Sequence, residues 1–243
     1  MSFSPEFLLM IAITGMYLYD SAQLLCCNEA LLLPGRRSKW IVVFGSENTT
    51  ILGKEIYIPN PLQIHRPLFR LSWEFEISRE VFEPWEPPRQ MFYPLAPFVW
   101  SMAIALFLLF PLGFFTRLGE SILLPALLLL YGSILVAMTW VWFHRTDFYL
   151  SRRGFAALAF ESLICPPFAL NLIRHLAAAV PVREDLVSAA RRLQSSANWL
   201  RTRTELIERL RNEIQCEDTD SERYGLLHRR WQLLIDEEVS CQP

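Results

Sequence analysis

Charge is missing from two long windows of the chain. Residues 95–116 and 121–143 contain no Asp, Glu, Lys or Arg. A helix needs about 20 mostly apolar residues, at about 1.5 Å of rise each, to cross a hydrocarbon layer of about 30 Å. Both windows meet that length, and only Arg117-Leu-Gly-Glu120 joins them. The pattern therefore predicts a tight antiparallel hairpin of two spanning helices. Pro97, Pro111 and Pro125 are tolerable inside it, because neighbouring helices in lipid satisfy the carbonyls that proline frees. Phe92, Tyr93, Phe98 and Trp100 at one end, and Trp140, Trp142 and Phe143 at the other, fall on the same side of the hairpin. That is where an interfacial aromatic belt belongs.

Two further stretches are apolar but interrupted. Ser4-Pro5 opens the first as a helix-start pair, and a run from Phe7 to Tyr19 leads into Asp20, Ser21 and Gln23. A signal peptide would carry a basic n-region and a small-residue cleavage site, and neither is present. This predicts a retained first span over about residues 5–26, with an extension to 33. The second stretch, 155–180, contains Glu161, Pro166-Pro167, Asn171, Arg174 and His175. A kinked re-entrant or interfacial helix fits it better than a full fourth crossing. After the proline pair, Leu170, Ile173, Leu176, Ala177 and Val180 share one side of a helix and Asn171, Arg174 and His175 the other. That is the pattern of a helix lying in the headgroup plane.

The rest is polar and patterned. Trp40-Ile-Val-Val-Phe44, residues 49–58 and residues 71–77 read as three strands. In the last, Leu71, Trp73, Phe75 and Ile77 alternate with Ser72, Glu74 and Glu76. Pro59-Asn-Pro61 and Arg66-Pro67 enforce extended or turning backbone between them. A small three-stranded sheet against the bilayer surface follows, with the Pro-rich residues 83–89 as a semi-rigid connector. In the tail, Leu186, Leu193, Leu200, Ile207 and Ile214 recur every seven residues, the spacing of a coiled-coil seam. Thr204 and Arg211 interrupt the companion positions. Thr219 with Glu222 makes a capping box for a last helix, in which Tyr224, Leu227, Trp231, Leu234 and Ile235 share a face. A helical hairpin folding on itself is the plainest reading, and an intermolecular coil comes second.

The expected fold is thus a mainly α integral membrane protein. It has three transmembrane helices plus the kinked re-entrant or interfacial helix, a small β-rich cytoplasmic insert and a C-terminal helical hairpin or coiled coil. The expected segments are 5–33, 34–94, 95–143, 144–181 and 182–243. Composition agrees, with 52% hydrophobic and 20% charged residues against about 45–50% and 25% in soluble domains. A net charge of −2 offers nothing to nucleic acid. Lys and Arg arbitrate the threading, because basic loops stay cytoplasmic. Three crossings with the N-terminus outside and the C-terminus cytoplasmic put 22 of 23 basic residues inside, leaving Arg117 on the far face. A bacterial inner membrane is the expected location.

Arg supplies 21 of those 23 cations, and its forked guanidinium suits phosphate. Arg36, Arg37, Arg145, Arg152 and Arg153 are therefore expected against lipid headgroups. Ionisable groups in apolar segments are expensive and point to function, which makes Asp20, Glu161, Arg174 and His175, with Asp147 in the adjoining loop, the candidate catalytic set. Each also has a plain structural reading: Asp20 meeting headgroups or Arg36, and Glu161 pairing with Arg174 across the kink. His65, His144, His175 and His228 show no H-E-x-x-H spacing, so no metal is expected. Cys26-Cys27, Cys165, Cys216 and Cys241 include no C-x-x-C and read as reduced thiols. Walker, Rossmann and G-x-S-x-G motifs are absent, and no cofactor is expected. The expected function is a non-catalytic inner-membrane interaction or assembly protein, with membrane lipid and a protein partner (or a second copy) engaged through 182–243. The alternative is a small membrane enzyme or transport accessory acting on a lipid or lipid-linked substrate.

Overall fold

Ser4 starts the first helix, its hydroxyl accepting from the Phe7 amide with Pro5 at the first turn. The structure is a computed structural model describing residues 4–35, 39–73, 84–117, 119–182 and 184–240. Helix α1, Pro5–Ser21, ends where Ala22 turns extended. Its 17 residues span about 25 Å, short of the expected first span. Residues after it are not helical: Gln23–Leu25 is strand β1 and Glu29–Pro34 is strand β2. The side chain of Glu29 caps the turn between them by accepting the Cys26 amide. The expected extension of the first span to residue 33 is therefore corrected to two strands. An isolated apolar run such as Ala30–Leu33 cannot be told from buried helix by periodicity, and here a partner strand pairs with it.

The chain divides into two compact units. The first contains α1, residues 56–69 and residues 87–181. Two of its helices are long and apolar enough to cross a membrane, Arg89–Phe115 and Ser121–Phe143. The earlier of these begins as a 3-10 turn (Arg89–Leu95), continues as α2 (Ala96–Ile104), loosens into a π turn (Ala105–Leu109) and ends as α3 (Phe110–Phe115). The π turn lies just before Pro111, whose ring would collide with a carbonyl one α-turn earlier; the wider register relieves that. Helix α4, Gly119–Phe143, packs on it. Ala126, Leu130, Ile134, Ala137 and Val141 form its buried stripe, facing Val99, Met102, Leu106 and Phe110. The opposite faces are equally apolar but bare: Leu108, Leu124, Leu128, Leu135 and Phe143 are all more than half exposed.

Helix α5, Arg152–Ile164, is capped by Ser151 and stops at Cys165. Pro166 forces its predecessor out of the helical region. Two short helices follow, α6 (Pro166–Ala169) and α7 (Leu172–Ala179). The expected kink is present, and of the three polar residues expected to share one side after it, Asn171 and Arg174 are buried against protein along with Leu172, Ile173 and Leu176, while His175 is partly exposed.

The second unit holds residues 24–55, 70–86 and 182–243. Most of the strand residues lie in it: β3 (Trp40–Val43), β4 (Ser46–Ile51), β5 (Lys54–Tyr57) and β6 (Phe69–Ser72) follow β1 and β2. They form two three-stranded sheets, ordered β1-β5-β4 and β3-β2-β6, rather than the single sheet expected. The β2–β3 pair is antiparallel, with Leu31 opposite Val43 and Leu33 opposite Ile41. The stretch 49–58 is two strands, not one, because Leu52 and Gly53 both adopt positive φ (51° and 75°). That is the backbone of a two-residue hairpin turn. Of the expected third strand only Leu71, Ser72 and Trp73 fall among the described residues; Phe75 and Ile77 lie outside them.

Three helices complete this unit: α8 (Leu186–Leu193), α9 (Ser196–Cys216) and α10 (Glu222–Ser240). The first two pack on β3, and α9 packs on α10. Arg203 Nε donates to the Leu234 carbonyl at 2.9 Å, so the last helix runs back along its predecessor. The seven-residue seam does not lie on one helix. Gln194 is extended and Ser195 caps a new helix. Leu186 is fully buried within the unit, while on α9 Leu200 is 58% exposed and Ile207 and Ile214 are half-buried.

Candidate functional site

Three of the five candidate catalytic residues meet. Asp20 lies one residue before the end of α1, and Arg174 and His175 lie on the first turn of α7. Asn171, just before α7, links them. Its Nδ2 donates to Asp20 Oδ2 at 2.8 Å, and its Oδ1 accepts from Arg174 Nη1 at 2.7 Å. The amide thus stands between a carboxylate and a guanidinium as a neutral bridge. His175 Nε2 lies 3.0 Å from the same Asp20 oxygen. Facing a carboxylate, which only accepts, Nε2 is the donor of this pair.

The shell is mostly backbone. Ser21 Oγ donates to the Tyr17 carbonyl at 2.7 Å and lies 3.2 Å from Asn171 Oδ1. Arg174 Nη2 donates to the Asn60 carbonyl at 3.3 Å. Tyr17 donates its hydroxyl to the Pro61 carbonyl at 2.7 Å and sets its ring edge-on to Phe107. The Pro59-Asn-Pro61 turn therefore does more than reverse the chain, since it presents carbonyls to α1 and α7. Burial pushes the Tyr57 phenol up, against the pull of the Arg174 charge.

Burial separates the members. Ser21, Asn171 and Arg174 are sealed, whereas the His175 side chain is 37% exposed beside an Asp20 side chain at 14%. Arg174 donates to two neutral acceptors, and its Nε has no hydrogen-bond partner. Charged groups held this way are worth roughly 1.5–3 kcal/mol per bond, and a stranded partner costs several. The arrangement clamps α1 to the start of α7. It also leaves one imidazole edge turned outward.

The remaining candidates lie elsewhere. Glu161 and Asp147 are exposed, and Arg174 is engaged with Asn171 and Asn60 rather than with Glu161 across the kink. Among the expected headgroup contacts, Arg36 and Arg37 lie outside the described residues. Arg145 sits 4.4 Å over the Trp142 ring and donates to the Trp142 carbonyl; Arg152 and Arg153 are exposed at the start of α5. Among the described residues no group of three His, Cys, Asp or Glu side chains is placed to hold a metal ion. Asn171 as bridge and the Asn60 and Pro61 carbonyls as acceptors carried no sequence signal, because these contacts join positions 44 to 154 apart. No family model, curated protein or solved structure matches this chain, so its function has to be read from its own residues.

Proposed function

We propose that the chain is a non-catalytic membrane-anchored interaction protein whose strand-and-helix unit engages a protein partner. The observation that carries this reading is the bare apolar outer surface of the α2–α4 hairpin. Leu108, Leu124, Leu128, Leu135 and Phe143 are each more than half exposed on it, and clustered exposed apolar side chains mark a membrane or interaction surface. Helix α1, with Phe7, Leu8, Leu9 and Ile11 exposed, enters the same bilayer as a third apolar element. The basic residues outside the Arg117 turn favour a cytoplasmic C-terminus in an inner membrane.

The partner surface is the flank of α9, where Leu200, Ile207 and Ile214 align and Leu200 stands clear of its own unit. The test is purification of the tagged full chain from membranes in gentle detergent, compared with Leu200→Glu. A co-eluting protein, or a second copy of the chain, should be lost in the variant while its Tm stays unchanged. A chain recovered from the soluble fraction without detergent refutes the anchor. An unchanged complex refutes the α9 surface.

The exposed edge of His175, bonded to Asp20, favours a second reading, a small enzyme or transport accessory acting on a lipid-linked substrate. There His175 would act as general base through Nδ1, oriented by Asp20. His175→Gln should then abolish turnover without lowering the protein level.

A further inference from the structure

Helix α5 changes character along one face. Arg153, Ala157, Phe160 and Ile164 sit at intervals of four, three and four, which places them on a single side of the helix. All four are exposed, Phe160 and Ile164 at 66% each. From the cation to the last apolar side chain is about 16 Å at 1.5 Å per residue, comparable to a phosphate and the upper part of an acyl chain. Ala157, with Ala156 beside it, leaves the middle of the face shallow.

The cationic end is reinforced from α4, against which α5 packs. Trp142 lies against Phe155 with ring centres 5.0 Å apart, and Arg145 lies over the same Trp142 ring at 4.4 Å. That stacking orders one guanidinium at the end of α4, the end from which the chain leads into Arg152 and Arg153. Among the described residues none of these three arginines pairs with a carboxylate. Asp147 in the loop and Glu161 at the edge of the face are exposed as well, and neither is bonded to them.

We infer that this face is a binding site for one anionic phospholipid. The phosphate is held by Arg145, Arg152 and Arg153, and an acyl chain lies over Ala157, Phe160 and Ile164. Charge complementarity selects the headgroup, and the apolar end excludes a free phosphate as the natural occupant. The site rests on the membrane reading proposed above.

The test uses the full chain in detergent, given equal phosphatidylglycerol and phosphatidylcholine, with retained lipid counted by native mass spectrometry. Phosphatidylglycerol should be retained preferentially, and the preference should fall by about fivefold for each arginine replaced by Gln at 145, 152 and 153. Arg117→Gln, a single exposed cation at the other end of the hairpin, should leave the preference intact. Ala157→Trp, which fills the middle of the face, should lower total retention. Equal retention of both lipids, or a loss in Arg117→Gln as large as in the other variants, overturns the site while leaving the membrane anchor standing. A chain that stays soluble without detergent and retains neither lipid overturns both.

Discussion

Asn171 is the residue on which the buried cluster turns. Its amide satisfies Asp20 with one end and Arg174 with the other, and a hydrocarbon of the same size satisfies neither. Asn171→Leu should therefore cost about 3 kcal/mol, read as a lowered Tm in detergent. Glu161→Gln, on an exposed carboxylate, should stay within about 0.5 kcal/mol. Equal Tm values for the two would show that the cluster does not hold the unit together. A second residue-scale prediction concerns pH. His65 lies beside Trp100 with its Nδ1 buried and without a hydrogen-bond partner. Burial, helped by the Arg66 and Arg89 charges, holds its pKa below the usual value. The unfolded chain then takes up that proton first, so the folded state loses stability as pH falls from about 6.5. The drop in Tm from pH 7.5 to 5.5 should be smaller in His65→Gln than in the parent chain.

At the scale of elements, the α3–α4 crossing depends on one missing side chain. A Cβ on Gly113 would come within 2.7 Å of Leu123 Cδ2, so the helices meet this closely only because the position is glycine. Gly113→Ile should lower Tm in detergent by the equivalent of about 1–3 kcal/mol. Gly132→Ala, where nothing lies within 4 Å, should be neutral or slightly stabilising. The contrast separates packing from helix propensity. Apolar windows without charge made the two long helices legible from sequence, since no other element hides so many leucines in a row. The strands were harder. Residues 30–33 read as an extension of α1 until pairing with β3 assigned them to a sheet. The turn at Leu52-Gly53 has no clear local signature, because a leucine at positive φ is an unusual choice there.

At the scale of the whole molecule, the tail is not a free appendage. Leu186, Ala189 and Ala190 are fully buried, and α8 and α9 pack on β3. Arg209 adds a buried ion pair with Glu55 at 2.6 Å, donates to the Gly45 carbonyl at 3.0 Å and lies 4.7 Å from the Phe44 ring. Ending the chain at residue 181 should therefore strip the sheet of its cover. The truncated protein should aggregate on extraction, whereas Leu200→Glu should elute as a sharp peak. A well-behaved truncated protein would mean that the sheet is stable without these helices.

The lengths and apolarity of the two long helices, the kink at the proline pair, the helix cap at Ser4 and the sheet-forming character of the 40s follow from local rules, whereas the expected cap at Thr219 is corrected: α10 starts at Glu222, and the Ser221 hydroxyl accepts the Tyr224 amide. Hydrophobic runs, proline sterics and capping act within a few residues. Which charges meet was decided only by the tertiary structure. Asp20 finds Asn171 and His175 about 150 positions away, and Arg174 meets a backbone carbonyl rather than Glu161. Such partners are chosen when packing brings distant segments together and burial makes every unpaired polar group costly.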